Sequence, residues 1–585
     1  SAGGGIWSRT SKEVHLSPQA QEALALPAAV VNPPQLVSAI LTAPADLLWL
    51  GGIGTFVKAT NESHADAGDH ANDGVRVDAD KVRARVVAEG GNLGFTHLAR
   101  IQYSRRGGKI NSDFIDNAAG VMTSDREVNL KILLSLAIER AELAPEKRDE
   151  ALAAVQDDVA AEVLRQVGLS AAALAGAVGA SAADLDAYEA LMVALETRGR
   201  LDRKVEALPE AEEMATRRAA GAGLIRPELA VLLAYAKSDL DGAIESSELA
   251  RDPAVRTGVE AYFPAKIAEH FRGLIGDHRL YPQLAAASVG GEVVDRMGIT
   301  WAHETADEFG TGLAEVAACY WAAREVIGAD RRWRQLEDLT SRVDADTEAT
   351  LHAAVVGAVN GLARTYLRQG GIDVARVVRE DWQVAAEMEA AEPSLPSGSE
   401  RPGPEGDMVD VGQLVAKGVD RAVAESFARL HRLSRVASVA ELSRDLGRPV
   451  TEVIQAAARL DDALGIPALE ARFATIHPAG RWERWVVRSL ADDVAALRQE
   501  AVERALSGGS EGSGAGGPGA EGSGAGGPGA GGSAEEAIAA FLQSRASRQA
   551  RFDRLARQIE GKSAEALALA ALAVRALADL VRTES

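Results

Sequence analysis

A short apolar run that ends in a glycine-rich loop occupies residues 46–56, with the sequence DLLWLGGIGTF. A second run of this kind lies at residues 82–94, VRARVVAEGGNLG, and residues 99–103 and 108–111 continue the series. Apolar runs that stop at glycine or polar loops, with helical stretches between them, are typical of strands in a parallel sheet. Such sheets bind ligands at the carboxyl ends of their strands, so the loops after these runs are the first candidates for a site.

The rest of the chain has a helical pattern, so the predicted fold class is α/β followed by all-α. Residues 1–135 are expected to hold a partial parallel sheet, and residues 136–391 a helical domain. A helix is predicted to begin near residue 125 with Ser124 as its N-cap. Another is predicted from Arg226, where Pro227 occupies a first-turn position that does not need a backbone donor.

Composition and repeats predict the remaining organisation. Four prolines mark residues 392–408 as a linker, and residues 409–506 are predicted to form a second helical domain. The decapeptide EGSGAGGPGA occurs at residues 511–520 and again, letter for letter, directly after. Residues 507–533 are therefore predicted to be a disordered linker, because glycine, serine, alanine and proline cannot bury a core. Residues 534–585 are predicted to form C-terminal helices.

Charge and cysteine content exclude several classes of protein. The formal net charge is −22, with 63 basic and 85 acidic residues, which argues against a general nucleic-acid binder. The lone cysteine, Cys319, rules out a disulfide within the chain and is consistent with a cytoplasmic location. Its helical surroundings favour a small buried residue over a nucleophile. No run approaches the roughly twenty apolar residues of a membrane span, so no membrane partner is expected.

The first two glycine loops could each approach a nucleotide. In residues 51–56, glycines directly after a strand let the backbone come close to a phosphate or ribose. The spacing fails the G-x-G-x-x-G fingerprint at Val57, so a plain tight turn is the simpler explanation of this loop alone. In residues 89–94, Asn92 carries a donor and an acceptor that match a ribose hydroxyl pair or a carboxamide. The alternative is a local turn in which Asn92 bonds its own backbone.

The third loop, residues 116–124, ends at the predicted helix start. A serine hydroxyl with free backbone donors at a helix N-terminus suits a carboxylate, although an ordinary N-cap is the simpler explanation of Ser124 on this signal alone. His64 and His70 lie in a loop rich in aspartate, where a solvated loop is a better interpretation than a metal site. The histidines form no H-E-x-x-H spacing, and no G-x-x-x-x-G-K-[ST] or G-x-S-x-G motif occurs. No metal ligand is assigned.

Taken together and in this order, the motifs resemble the second half of the nucleotide-binding domain of large, multidomain NAD-dependent glutamate dehydrogenases. The similarity runs from residue 1 to about residue 340. Singly the motifs are weak, but jointly they are specific. The matching stretches are GGGIWSR at 3–9, DLLWLGGIGTFVKA at 46–59, VAEGGNLG at 87–94, NSDFIDNAAGV at 111–121, RPELAVLLAYAK at 226–237, YFP at 262–264 and RMGIT at 296–300.

The resemblance implies NAD as cofactor, L-glutamate and 2-oxoglutarate as substrate and product, and a Rossmann-like sheet of which residues 1–135 form the C-terminal half. It also implies a homo-oligomer. In this family hydride passes from the α-carbon of glutamate to NAD, and the resulting imine is hydrolysed to 2-oxoglutarate and ammonium. The residues carried over are Gly51, Gly52, Gly54, Thr55, Asn92 and Asn117 for NAD, and Ser124 for the side-chain carboxylate of glutamate.

Departures from the family pattern matter as much as the matches. The family's catalytic lysine and aspartate, its glycine fingerprint and its acidic ribose ligand are all expected to precede residue 1. The chain is therefore interpreted as a C-terminal portion that is inactive alone, and no catalytic residue is assigned in it. Gly91 precedes Asn92 where relatives usually carry alanine before the asparagine, which is treated as a mild change. The alternative function is a non-catalytic helical assembly or regulatory module that carries a remnant nucleotide-binding half-domain.

Overall fold

A computed structural model describes residues 3–391, 409–507, 534–559 and 564–582. The predicted linker at 392–408 and all but the first residue of the predicted linker at 507–533 lie outside the described residues. The chain divides into two compact units, one of residues 1–251 and 255–304, and a second of residues 252–254 and 305–585. The domain boundaries inferred from sequence remain predictions.

Six short strands form three two-stranded sheets in the described residues. The pair β3–β6 is parallel, with Leu47 opposite Val86 and Leu50 opposite Glu89, and Lys109 bridges to Val86 on the far side of β6. Parallel strands are thus present, but as small pieces and not as one extended sheet. The strands are β1 (Val14–His15), β2 (Val30–Val31), β3 (Leu47–Leu50), β4 (Val57–Lys58), β5 (Val77–Asp78) and β6 (Val86–Glu89), with β1–β2 antiparallel and β4–β5 parallel.

Helices make up most of the described chain, as predicted for the region after the sheet. Those of the first unit are α1 (Pro18–Ala23), α2 (Pro33–Leu41), α3 (His97–Arg105), α4 (Asp113–Asp116), α5 (Ala118–Glu139), α6 (Arg148–Ala153), α7 (Gln156–Ala180), α8 (Leu185–Thr197), α9 (Ala211–Ala220), α10 (Arg226–Glu245), α11 (Arg256–Tyr262), α12 (Ala265–His270), α13 (Arg272–Ile275) and α14 (Tyr281–Met297). The division between the units falls within α15 (Trp301–Phe309).

The second unit is entirely helical in its described residues. Cys319 is fully buried in α16, and burial raises the pKa of its thiol to about 12, which confirms the prediction of a small buried residue. The helices are α16 (Leu313–Val326), α17 (Ala329–Leu339), α18 (Ala345–Gln369), α19 (Val374–Ala391), α20 (Val411–Ala416), α21 (Arg421–Ala428), α22 (Leu430–Leu433), α23 (Val436–Leu446), α24 (Val450–Leu464), α25 (Ile466–Phe473), α26 (Arg481–Ser507), α27 (Ala534–Gln543), α28 (Ala546–Arg557) and α29 (Ala564–Arg582).

The two faces of the β3–β6 pair differ sharply in burial. Leu50 and Val87 point into a core that includes Phe95 and Tyr103. On the opposite face Trp49 is 67% exposed, and Leu47 and Val86 are exposed as well. Successive side chains of a strand point to opposite faces, so one face of this pair is covered and the other is bare.

Two predictions about local structure are wrong. Residues 99–103 belong to helix α3 and not to a strand, because Thr96 caps the helix and Ala99, Arg100 and Tyr103 are buried at helical spacing. Ser124 is not an N-cap, because α5 already begins at Ala118 after the cap position Asn117. Alanines at 118 and 119 are good helix formers, so the helix begins two turns earlier than predicted. The first-turn position of Pro227 in α10 is confirmed.

One helix of the described residues, α7, is long and apolar enough to cross a membrane by length and composition alone. Its apolar window is only 17% buried, and Leu164 within α7 is exposed. A single helix of this kind is weak evidence for a span. The absence of a membrane partner stays a prediction.

Candidate active site

Two of the predicted loops contact each other through their backbones. Gly51 to Thr55, the first loop, follows β3, and Glu89 to Gly94, the second loop, follows β6. A Cβ atom at Gly91 would lie 2.3 Å from the carbonyl oxygen of Gly52, and the Gly91 N–H donates to the Leu50 carbonyl at 3.0 Å. A Cβ atom at this position would require one of the loops to shift, and the parallel register of the two strands places both loops at one edge.

Within the first loop, the glycines are accessible and Thr55 is not. Gly51 and Gly52 are exposed, whereas Thr55 is buried. The Thr55 N–H donates to Asp69 Oδ2 at 2.8 Å, and the Thr55 carbonyl accepts from Arg76 Nε at 2.8 Å. Gly54 has a φ of +143°, a region that side chains rarely adopt. Thr55 therefore anchors this loop, and its accessible surface is the backbone of Gly51 and Gly52.

A buried ion pair holds the second loop in place. The Glu89 side chain is fully buried and accepts hydrogen bonds from Arg100 Nε at 2.7 Å, from Arg100 Nη2 at 3.0 Å and from the Phe95 N–H at 2.9 Å. Burial raises the pKa of the Glu89 carboxyl, although Arg100 opposes the shift through hydrogen bonds and charge. The sequence motifs assigned no role to this glutamate, but its buried carboxylate anchors the loop. A charged residue at the end of an apolar strand is the signal that could have revealed it.

Asn92 lies exposed at the tip of the second loop. Its side chain makes no hydrogen bond within the described part of the chain, so the alternative of a turn closed by its own amide is not observed. The next residue, Leu93, has a φ of +58°, and its N–H donates to Asp113 Oδ2 at 2.8 Å. The loop is thus held through Leu93, which leaves the Asn92 amide available to a ligand.

Asn117 occupies the junction of α4 and α5, beside the second loop. Its neighbour Asp116 accepts from the Glu89 N–H at 2.9 Å and from Asn111 Nδ2 at 2.6 Å, which ties this junction to the end of β6. The Asn117 Nδ2 atom is buried and has no hydrogen-bond partner in the described residues. Buried amide donors are almost always paired, so an unpaired donor here suggests that a ligand accepts its hydrogen bond.

Ser124 lies exposed on the same helix, seven residues after Asn117. Seven residues are nearly two full turns, so both side chains lie on one face, about 10 Å apart along the axis. Because Ser124 is within the helix, the free backbone donors expected around it are located instead at the start of α5, next to Asn117. The hydroxyl is thus the polar group that Ser124 exposes on this face.

The aspartate- and histidine-rich loop is organised by an arginine. The guanidinium of Arg76 bonds Asp73 Oδ1 at 2.5 Å and contacts His64 Nδ1 at 3.0 Å. The hydrogen bond from Arg76 and its charge lower the pKa of the Asp73 carboxyl. Within residues 3–391, 409–507, 534–559 and 564–582, no group of three or more histidine, cysteine, aspartate or glutamate side chains could hold a metal ion.

Two known family models match the chain. A model described as the catalytic domain of bacterial NAD-glutamate dehydrogenase matches residues 1–177, and one described as the C-terminal part of glutamate dehydrogenase matches residues 221–579. The chain belongs to the bacterial NAD-glutamate dehydrogenase family. The first match contains every predicted site residue, and the second covers the larger part of the chain.

Relatives with the name NAD-specific glutamate dehydrogenase extend well beyond this chain. The protein of Pseudomonas aeruginosa is 36% identical over 84% of the chain and 30% of its own length. That of Halomonas elongata is 30% identical over 100% of the chain and 35% of its own length. That of Mycobacterium tuberculosis is 38% identical over 60% of the chain and 22% of its own length. The chain thus spans at most about a third of the curated relatives it matches.

Proposed function

We propose that this chain is the C-terminal part of an enzyme that oxidatively deaminates L-glutamate to 2-oxoglutarate and ammonium with NAD as the oxidant. Family membership and the names of the relatives support the reaction. The observation that carries the proposal is the convergence of the two glycine loops beside Asn117, whose buried amide donor has no partner in the described residues.

The accessible groups suit a dinucleotide. The exposed backbone of Gly51 and Gly52 lets a ribose or phosphate approach closely, and Asn92 and Asn117 offer amides at the same edge. When bound, NAD would accept hydride from the α-carbon of the substrate. The amides of Asn92 and Asn117 would hold the nicotinamide carboxamide or ribose, which selects the ring face that meets the substrate. Gly54 and Thr55 would support the cofactor indirectly, by shaping the first loop.

Ser124 would bind the side-chain carboxylate of glutamate. Its hydroxyl can donate one hydrogen bond, and its distance from Asn117 along α5 leaves room for the substrate between the two. Glutamate would then lie along the exposed face of α5, with its α-carbon towards Asn117 and its side-chain carboxylate towards Ser124. This arrangement orients the carbon that loses hydride towards the cofactor edge.

The bare face of the β3–β6 pair supports a finer proposal about the fold. Leu47, Trp49 and Val86 expose apolar surface there, and the edge of β3 away from β6 has no strand partner in the described residues. We propose that the sheet is the C-terminal half of a Rossmann-like sheet, continued by parts of the protein outside this chain. The catalytic lysine and aspartate would belong to those parts, and the complete enzyme would be a cytoplasmic homo-oligomer.

The test compares glutamate-dependent NAD reduction by the 585-residue chain and by the longer polypeptide of its natural reading frame. Activity is expected only in the longer protein. Activity of the 585-residue chain alone would contradict the missing catalytic half, and a folded longer protein without activity would favour a non-catalytic assembly or regulatory module.

Ser124→Ala in the longer protein tests the substrate site. It should raise KM for glutamate by about tenfold or more, since a hydrogen bond to a charged group contributes about 1.5–3 kcal/mol. KM for NAD should stay within about twofold. The matched control is Thr123→Ala, whose hydroxyl donates to the Ala119 carbonyl of the same helix. Equal effects of the two variants on glutamate would refute the role of Ser124.

A further inference from the structure

A cleft of about 640 Å³ lies between α4–α5, α7 and α10 in the first unit. The wall formed by α4 and α5 is apolar and includes Phe114 and Met122. The wall formed by α10 carries Leu233, Lys237 and Asp241 at successive turns of one helix face. The cleft does not include the candidate NAD and glutamate residues. It does share helix α5 with Asn117 and Ser124.

The positive charges at the cleft are already compensated. Lys237 Nζ lies 2.7 Å from Asp295 Oδ1 and donates to Ser170 Oγ at 3.0 Å, and Ser170 in turn donates to Asp295. The Arg200 Nε atom lies 3.8 Å from Asp239 Oδ1, so this guanidinium is directed at a carboxylate outside the cleft. Neither cation is paired with Asp241.

Asp241 has no such partner. Its side chain makes no hydrogen bond or ion pair with any described residue, and its Oδ1 atom is buried. That oxygen lies against α14, where a Cβ atom at Gly290 would be 2.1 Å away. The other charged group nearby on α10, Glu245, is also negative and is bonded by Gln283 Nε2 at 2.6 Å. A carboxyl group withdrawn from water without a partner costs free energy, and a site of this kind in a cleft is a candidate for function.

We propose that this cleft binds a small organic cation, an alkylammonium group whose charge pairs with Asp241 while its alkyl chain lies along Phe114 and Met122. A cation in the cleft compensates the charge of the Asp241 carboxylate, and the apolar wall favours a ligand with a hydrocarbon part. Because the apolar wall includes residues of α5, an occupied cleft contacts the helix that carries the candidate substrate serine. This inference does not depend on the proposed reaction.

Binding should strengthen as the pH rises. Burial raises the pKa of the Asp241 carboxyl to about 7, with Glu245 adding to the shift and Lys237 opposing it. The groups around Asp241 are thus Lys237 and Glu245 on its own helix, Arg200 from the segment after α8, and Gly290 on α14. A carboxyl with this pKa is about nine-tenths ionised at pH 8 and about one-tenth ionised at pH 6, so the affinity for a cation should fall by about tenfold between them.

The probe is butylammonium, titrated into the 585-residue chain and followed by ligand-observed NMR, with 1-butanol and butyrate as neutral and anionic controls of equal chain length. A Kd on the order of millimolar is expected for butylammonium and at least about tenfold weaker binding for both controls. No saturable binding up to about 50 mM, or equal binding of 1-butanol, would overturn the proposal.

The variant Asp241→Asn keeps the size of the side chain and removes its charge. It should weaken butylammonium binding by about tenfold or more and abolish the pH dependence. The control Glu269→Gln makes the same change in net charge at an exposed position outside the cleft, and binding should stay within about twofold. Thermal unfolding checks that both variants are folded. A folded Asp241→Asn protein that binds butylammonium normally would overturn the assignment.

Discussion

Replacing Arg100 by leucine should destabilise the second glycine loop, because Arg100 is the partner of a fully buried glutamate. Arg100 is only 4% exposed and supplies two of the three hydrogen bonds to the Glu89 carboxylate, so the leucine variant leaves that charge with the Phe95 N–H alone. Leucine preserves most of the apolar packing of the arginine stem, which isolates the loss of the ion pair.

Removing one partner of a buried ion pair costs about 3–5 kcal/mol, because the remaining charge stays out of water. At about 1.4 kcal/mol per factor of ten, local opening of the loop should become roughly 10²- to 4 × 10³-fold more frequent. The matched control is Arg105→Leu, on the same helix. Its side chain is 50% exposed and pairs with Glu213 at 2.5 Å, so a cost of no more than about 1 kcal/mol is expected after allowance for solvent screening.

Hydrogen exchange of peptides covering residues 86–105, measured by mass spectrometry on the 585-residue chain, reports this opening directly. Glu89→Gln in the Arg100→Leu background should recover most of the lost protection, since it removes the buried charge and keeps an acceptor for the Phe95 N–H. Burial raises the folded-state pKa of the Glu89 carboxyl, so its ionised form is the destabilising one. The defect of Arg100→Leu should therefore be largest at neutral pH and should shrink as the pH falls towards the ordinary value of 4.5. Equal protection in the two leucine variants, or a further loss with Glu89→Gln, would refute the reasoning.

Three further outcomes are expected. Gly91→Ala places a Cβ atom 2.3 Å from the Gly52 carbonyl oxygen, so it should raise KM for NAD in the longer protein by about tenfold. The control Gly74→Ala adds its Cβ atom in open space and should leave KM for NAD unchanged. Similar KM values for the two variants would count against the loop contact. Because the folded-state pKa of Asp241 is raised to about 7, the stability of the folded chain should fall as the pH rises from about 4 to 7. Asp241→Asn should flatten this dependence of the thermal unfolding temperature on pH. An unchanged dependence would exclude Asp241 as its cause. The Cys319 thiol, buried and with its pKa raised to about 12, should resist iodoacetamide in the folded chain and react after urea unfolding; rapid labelling of the folded chain would show that it is accessible.

Local patterns were sufficient to predict the strands that carry the two glycine loops. Leu47–Leu50 and Val86–Glu89 are short apolar runs that stop at glycine. Because the two strands pair in parallel, the loops that follow them lie at the same edge of the sheet. The first-turn proline of α10 was predicted for a similarly local reason, because its fixed φ and missing N–H suit only that part of a helix.

Local patterns gave a wrong prediction where the same residues fit both the two-residue spacing of a strand and the spacing of a helix. Residues 99–103, ARIQY, place apolar side chains at every second position, which suits a strand. They also place Ala99 and Tyr103 four residues apart, which suits one face of a helix. The structure shows the helix, with Thr96 as its N-cap and Arg100 buried beside Ala99. The start of α5 was misplaced because Ser124 is a good N-cap by type, while the real start depends on the tertiary contacts of Asp116 with the end of β6.

The candidate site residues predicted from the sequence differ in a systematic way from the buried groups that the structure adds. Gly51, Gly52, Asn92 and Ser124 are exposed residues beside turns or on a helix surface, and their chemistry can be recognised from neighbouring letters alone. Glu89 with Arg100, and Asp241 against Gly290, are buried pairs that become neighbours only when strands and helices pack. The Glu89 carboxylate accepts from the Phe95 N–H directly after the second loop, so we expect the contact of Gly91 with Gly52 to depend on this buried group. Variants at such buried anchors should therefore impair the candidate site as severely as variants at the exposed residues that face the ligand.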